Sequence, residues 1–158
     1  MQLETWQAPH GDGPIPNHPR FPVLIYRGVD ATDIRRVFAE HGWVGAWTDG
    51  VFDFHHFHST SHEVLGVIAG SATLELGGPQ GEAFEVAAGD VLVLPAGTGH
   101  RRAAARGGFT VVGAYPAGQE DYDLLREADD AARRRIGAVP LPARDPVGGE
   151  GIARWAAA

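Results

Sequence analysis

The stretch GVFDFHHFHSTSHEVLGVIAG, residues 50–70, holds four of the eight histidines of the chain and one glutamate. Side chains alternate between the two faces of a β-strand. A strand through FDFHHFH therefore places His56 and His58 on one face and His55 on the other. Two imidazoles on one face form half of a metal site, because neutral imidazole is a good ligand for several first-row metals. The alternative is a polar turn that is merely rich in histidine.

The strand that follows leaves two candidates for a further ligand. His62 and Glu63 are adjacent, so alternation lets only one of them point inward. Either the face of Glu63, Leu65 and Val67 points inward, or the opposite face, which carries His62, does. A second cluster lies in GDVLVLPAGTGH, residues 89–100. Here a buried strand ends, a glycine-rich turn follows, and His100 begins the next strand. His100 is therefore placed to complete a site that the first cluster begins.

Composition excludes several classes of chemistry. The chain of 158 residues contains no cysteine and no lysine, which excludes disulfides, thiolate sites, Schiff-base lysines and P-loops. A formal charge of −7 argues against nucleic acid or an anionic membrane as a partner. No apolar run has the length of a membrane helix, and the N-terminus lacks a signal-peptide pattern. We therefore expect one cytoplasmic domain, residues 1–158.

The pattern of residue types along the sequence divides this domain into three parts. Residues 1–44 predict an extended, proline-rich arm, a strand over Phe21–Arg27, and a helix that Asp30 caps and Gly42 ends. Residues 45–115 contain short apolar or alternating runs separated by glycine, including the hairpin turn GGPQG. Such regular spacing predicts an antiparallel sandwich or barrel, and thus an all-β fold class.

The C-terminal part, residues 116–158, is predicted to be a helix followed by a tail. The spacing of apolar residues in EDYDLLREADDAARRRI, residues 120–136, is helical, with acids first and arginines last. The tail is rich in proline and glycine, and we expect it to pack Val139, Leu141 and Trp155 onto the barrel.

The two histidine clusters resemble the two motifs of the cupin superfamily. The first motif, G-x5-H-x-H-x4-E-x6-G, and the second, G-x5-P-x-G-x2-H-x3-N, agree with this chain at nine of ten positions, and only Ala104 replaces the final asparagine. The matched residues are Gly50, His56, His58, Glu63, Gly70, Gly89, Pro95, Gly97 and His100. The flanks IPNHPRFPVLIYR and LPARDPVGG resemble the YjlB-like branch of small bacterial cupins.

The resemblance implies a jelly-roll antiparallel barrel of six to eight strands, with short flanking helices and an N-terminal arm. It implies one divalent metal ion per chain, Fe, Mn, Zn, Ni or Cu, with three imidazoles and one carboxylate as ligands. The motif spacing favours Glu63 over His62, so the expected ligands are His56, His58, Glu63 and His100. Cupins commonly form homodimers, and we expect the arm to pack on the sheet and to contribute to a homodimer.

The expected function is that of a metal-dependent enzyme, of dioxygenase or isomerase type, that acts on a small molecule in the barrel. The alternative is a non-catalytic cupin that binds a small ligand such as a sugar and holds a structural metal. Arg102 shares the strand face of His100 and is either an anion clamp or a solvated rim residue. The predicted walls near the metal are mainly apolar: Phe52, Phe54, Leu65, Val67, Leu92 and Leu94.

Overall fold

The computed structural model describes all 158 residues and confirms the all-β prediction. Seven antiparallel strands form one sheet, and three short helices flank it. The strands are β1 (Gln2–Trp6), β2 (Val23–Arg27), β3 (Trp43–Asp49), β4 (Glu63–Leu76), β5 (Glu82–Ala87), β6 (Val91–Leu94) and β7 (His100–Pro116). The helices are α1 (Ile34–Glu40), α2 (Asp130–Ala138) and α3 (Gly151–Ala157). None of the three has the length and apolar character needed to cross a membrane.

Two long strands, β4 and β7, form the centre of the sheet. The strand order is β1-β2-β6-β4-β7-β3, and β5 also pairs with β4. β7 pairs with β4 from Val64↔Ala114 to Leu76↔His100, whereas the other edge of β4 pairs first with β6 and then with β5. The hydrogen-bonded ladder does not close, and β1 and β3 are its two ends. The arm contributes β1, which pairs with β2 from Gln2↔Arg27 to Trp6↔Val23.

Gly70 lies where β4 changes its pairing partner from β6 to β5. Its φ is +68°, and a Cβ at this position would lie 2.5 Å from the backbone oxygen of Arg106. The register with β7 shifts on both sides of Ala69, where Gly107 and Gly108 also have positive φ. A glycine is required here because side chains rarely adopt this conformation and because β7 leaves no space for one.

Alternation along the strands separates two apolar clusters. Leu65, Val67, Leu92 and Leu94 lie in a cluster of 12 buried residues, as predicted for the inner face. Val64, Val93 and Val112 lie in the other cluster, which Phe38 of α1 and Trp155 of α3 complete. The sheet is therefore apolar on both faces, and two of the flanking helices shield one of these faces from water.

The stretch FDFHHFH is not a regular strand, so the prediction of alternation through it was wrong. Residues 50–62 form an irregular loop in which only His56 and Phe57 make isolated bridges, to His100 and Leu125 respectively. Phe52, predicted to point inward, is 53% exposed at the surface. Phe54 is half-buried and stacks on the ring of Phe52.

The helix predicted over residues 120–136 begins only at Asp130. Asp129 caps it by accepting a hydrogen bond from the backbone N–H of Ala132 at 2.8 Å. The preceding residues are irregular, and the backbone of Leu125 among them exchanges two hydrogen bonds with Phe57, each of 2.9 Å. The first helix begins after Asp33, whose side chain makes no capping hydrogen bond, whereas the predicted cap, Asp30, accepts from the N–H of Thr32.

The C-terminal tail packs on the sheet only in part as predicted. Trp155 is fully buried in α3, a helix that the glycine- and proline-rich composition did not indicate. Val139 is half-buried against the cluster around Ile136, but Leu141 is 43% exposed and does not pack onto the sheet.

Candidate metal centre

The structure brings three of the predicted ligands together. His56 and His58 lie in the loop that precedes β4, and His100 is the first residue of β7. One ligand atom of each imidazole lies within 4.8 Å of the other two, and all three side chains are buried. The loop is held against β7 by the bridge between His56 and His100, whose N–H···O distances are 3.3 and 3.0 Å. The three imidazoles therefore converge because of this bridge and not because of strand alternation.

Backbone carbonyls orient all three rings in the same way. The Nδ1 atoms lie 2.9 Å from Phe54 O for His56, 2.5 Å from Asp123 O for His58, and 2.9 Å from Thr98 O for His100. A carbonyl oxygen only accepts hydrogen bonds, so each Nδ1 carries the proton. In the neutral ring the lone pair then lies on Nε2, which is the arrangement that metal-binding histidines need.

Glu63 places its carboxylate against two of these nitrogens. Its Oε1 lies 3.2 Å from His100 Nε2 and 3.4 Å from His58 Nε2, and the side chain is almost fully buried. Oε2 accepts a hydrogen bond of 2.8 Å from the hydroxyl of Tyr115, but buried Oε1 has no hydrogen-bond donor. A carboxylate oxygen that has no hydrogen-bond donor and faces two imidazole Nε2 atoms fits a divalent cation.

The charges of the cluster depend on burial and on Glu63. Burial, and then the proximity of His100, lower the pKa of His56 to about 3. Burial alone would lower the pKa of His58, but the Glu63 carboxylate raises it above its ordinary value. Burial would raise the pKa of Glu63, but His58 and His100 hold it well below its usual range. Glu63 is therefore the anion of the site, and the assignment of all four ligands stays a prediction.

The two remaining histidines of the loop lie outside the cluster. His55 Nε2 is 3.7 Å from a carboxylate oxygen of Glu75, at the half-buried outer side of the loop. His62 is fully buried, in contact with Trp155, and its Nδ1 accepts from the backbone N–H of Ala96 at 2.9 Å. His10, His18 and His41, to which the sequence assigned no role, do not line the cluster.

A cavity of about 550 Å³ opens onto the imidazoles. Its walls are more polar than predicted, because Asp49, Asp53, Arg102 and Tyr122 contribute to them alongside Phe52 and Leu65. These residues come from the end of β3, the loop after it, the beginnings of β4 and β7, and the segment after β7. Arg102 lines the cavity, and its Nη2 lies 4.0 Å from an oxygen of Asp53.

Two residues that support the cluster were missed by sequence reasoning. Asp123 binds the ligand loop through its carboxylate, which accepts from the N–H of Ser59 at 2.6 Å and from the hydroxyl of Ser59. Tyr115 donates a hydrogen bond of 2.8 Å to the Glu63 carboxylate through its hydroxyl. No local pattern marks either residue, because each acts on a partner more than 50 positions away.

Comparisons with known proteins identify the family of this chain. A family model described as "Cupin domain" matches residues 44–110, the range that contains both histidine clusters. The uncharacterized protein YjlB of Bacillus subtilis (strain 168) is 40% identical over 155 residues, which cover 94% of this chain and 92% of that protein. The chain belongs to the cupin family. The resemblance of this cupin to the YjlB-like branch is thereby confirmed over nearly its whole length.

Solved structures are similar to this cupin at the level of the fold. An acireductone dioxygenase from Bacillus anthracis, with a cadmium ion in its active centre, has a TM-score of 0.41 and 19% identity, over 57% of this chain and 60% of that one. A DUF861 family protein from Thermotoga maritima has a TM-score of 0.40 and 18% identity, over 60% of this chain and 98% of that one. Neither similarity indicates an activity for this cupin.

Proposed function

We propose that this cupin is a divalent-metal-dependent enzyme that acts on a small molecule in the cavity, of dioxygenase or isomerase type. One observation carries the proposal: the three imidazoles and the donor-free oxygen of Glu63 form the floor of an open cavity of about 550 Å³. Structural metal sites are closed by their ligands, whereas catalytic sites keep a position open for water or substrate. An open floor therefore favours the enzyme over a cupin with a purely structural metal.

The Nε2 atoms of His56, His58 and His100 and the Oε1 atom of Glu63 would hold the ion. Bound there, a divalent metal supplies Lewis-acid polarisation of a substrate oxygen or, for a redox-active metal, chemistry with dioxygen. Donors of imidazole and carboxylate type suit Fe, Mn, Zn, Ni and Cu.

The other residues of the cavity provide substrate binding. Arg102 is the one arginine that lines the cavity, two positions from His100, and its guanidinium can orient an anionic or oxygen-rich group. Phe52, Tyr122 and Leu124 are three of the five exposed large apolar side chains of the whole chain, and all three line this cavity. We infer that they hold an apolar part of the substrate and limit the entry of water.

The first test is metal analysis of protein purified without a histidine tag. We expect about one divalent ion per chain in the wild type, and loss of most of it in His58→Ala. His55→Ala is the matched control, because it removes a neighbouring imidazole that faces Glu75. Since imidazole ligates only when neutral, retention should fall below about pH 6. Full metal content in the double variant His56→Ala, His58→Ala would contradict the site.

The second test separates an enzyme from a binding module. Protein loaded in turn with Fe²⁺, Mn²⁺, Zn²⁺, Ni²⁺ and Cu²⁺ is incubated with a panel of small carboxylates, diketones and sugars, and oxygen uptake and product formation are measured. We expect turnover that depends on one metal and falls in Arg102→Leu. Tight binding of a sugar by the loaded protein, without turnover of any compound, would instead identify the non-catalytic alternative.

A further inference from the structure

We propose that Tyr115, held in place by Trp47, is a positioning residue that sets which oxygen of Glu63 faces the imidazoles. The inference rests on the proposed role of Glu63 in metal binding. It concerns a contact that neither cupin motif contains, because Tyr115 and Trp47 lie outside the matched motif positions. The two Glu63 oxygens have different surroundings, and Tyr115 accounts for the difference: Oε2 accepts from its hydroxyl at 2.8 Å, while Oε1 is left for the cluster.

The pairing of β4 with β7 places the two side chains opposite each other. Val64 is the partner of Ala114, so the preceding residue of β4, Glu63, faces the following residue of β7, Tyr115. Cross-strand neighbours in an antiparallel pair have their side chains on the same face. Tyr115 is fully buried, so its hydroxyl has to find its hydrogen-bond partners within the protein.

Trp47 determines the direction of the Tyr115 proton. Its indole Nε1–H donates to the Tyr115 oxygen at 2.7 Å, and an indole nitrogen is a donor only. The hydroxyl accepts that bond and uses its single proton for Oε2 of Glu63.

Gly113 gives Trp47 the space that this contact requires. Trp47 and Gly113 are paired in register between β3 and β7. A Cβ at Gly113 would lie 2.3 Å from two carbon atoms of the indole ring, Cε2 and Cζ2. The indole therefore lies directly across the backbone of β7, from which it reaches the hydroxyl of Tyr115. Side chains from three neighbouring strands thus form one chain of hydrogen bonds. Trp47 of β3 donates to Tyr115 of β7, and Tyr115 donates to Glu63 of β4.

The experiment measures Zn²⁺ affinity by competition with a chelator. We expect Tyr115→Phe to weaken Zn²⁺ binding about 10- to 100-fold, the usual effect of removing a group that orients a metal ligand. Tyr26→Phe is the matched control. The Tyr26 hydroxyl also donates to a buried carboxylate, that of Asp145 at 2.5 Å, and accepts from the N–H of Gly151 at 2.8 Å, but it lies outside the cavity lining. We expect Tyr26→Phe to bind Zn²⁺ as the wild type does.

A double-mutant cycle with Glu63→Gln shows whether Tyr115 acts through Glu63. If it does, Tyr115→Phe adds little to the loss of affinity already caused by Glu63→Gln. Additive losses, or a Tyr115→Phe variant within about twofold of the wild type, would overturn the proposal. If Tyr115→Phe does not fold, the Zn²⁺ affinity of Trp47→Phe is measured instead. An affinity equal to that of the wild type would overturn the proposal. A wild type that binds no Zn²⁺ or other divalent ion would instead refute the proposed function itself.

Discussion

Glu63 and His62 are neighbours in the sequence, yet their side chains lie in different surroundings in the structure. Glu63 faces the imidazoles, whereas His62 packs against Trp155 and accepts a hydrogen bond from Ala96. We expect Glu63→Gln, which keeps the shape and loses the anion, to weaken metal binding at least about 10-fold. We expect His62→Gln to leave metal binding unchanged and to lower the free energy of unfolding by about 1–3 kcal/mol, because it disturbs a buried hydrogen bond.

Metal titration and chemical denaturation of both variants separate the two effects. The wild type and the two variants are compared at the same pH and the same metal concentration. Loss of metal in His62→Gln with full retention in Glu63→Gln would reverse the assignment. The site would then be a cluster of four histidines.

At the scale of an element, the irregular segment that follows β7 holds the ligand loop in place. Asp123 accepts from the N–H and hydroxyl of Ser59 through its side chain and from His58 through its backbone oxygen. Arg135 of α2 also donates to the Ser59 hydroxyl, at 2.9 Å. The segment thus determines the position of His58, although it lies more than 60 residues further along the chain.

We expect Asp123→Ala to weaken metal binding about 10-fold, because the ligand loop loses the acceptor that orders Ser59 next to His58. The control is Asp121→Ala, which removes the same charge from an exposed position two residues earlier. The affinity of each variant for Zn²⁺ is measured by chelator competition. Equal affinities in the two variants would show that the segment does not position the cluster.

At the scale of the whole molecule, a stack of rings joins the two ends of the chain. His18 stacks on Phe21 with a centroid distance of 4.2 Å, and Phe21 stacks on Trp155 of α3 at 5.2 Å. His18 Nδ1 accepts from the N–H groups of Arg20 and Phe21, so the ring has to be unprotonated there. Burial, and then the charge of Arg20, lower the pKa of His18 to about 4.

The depressed pKa of His18 predicts acid sensitivity of the fold. Between pH 6.5 and about 4 the unfolded chain binds a proton at His18 that the folded chain does not, so stability falls as pH falls through this window. From pH 7 to pH 5 the loss due to His18 is about 2 kcal/mol. Denaturant titrations at both pH values should show that the free energy of unfolding falls less in His18→Gln than in the wild type, by that amount. Equal losses in the two proteins would contradict the prediction.

Assembly is also a property of the whole molecule, and we propose that the chain forms a homodimer through a sheet edge. β1 is the end of the ladder, so one side of its backbone has no strand partner within the chain. Sedimentation at micromolar concentration should give about twice the chain mass of 16.8 kDa. Amide exchange in β1 should slow as protein concentration rises. A monomer at all concentrations would refute the dimer.

The sequence by itself determined the parts of this protein that depend on local spacing. Glycine turns at regular intervals predicted the antiparallel strands, and the motif spacing predicted which four side chains meet. The inner residues Leu65, Val67, Leu92 and Leu94 followed from alternation, because they lie in regular strands where a period of two holds. The same rule failed for Phe54, which does not line the cavity, because the loop before β4 has no such period.

Only the tertiary structure decided how the site is supported. The apolar spacing of residues 120–129 is compatible with a helix, but Leu125 pairs with Phe57, and Asp123 binds Ser59. Likewise, no local pattern relates Trp47 to Tyr115, or His62 to Trp155. These contacts join residues far apart in the sequence, and their free energy arises from burial and from hydrogen bonds that form only when the strands have paired. Spacing along the chain therefore predicts the ligands, whereas strand pairing determines what holds and orients them.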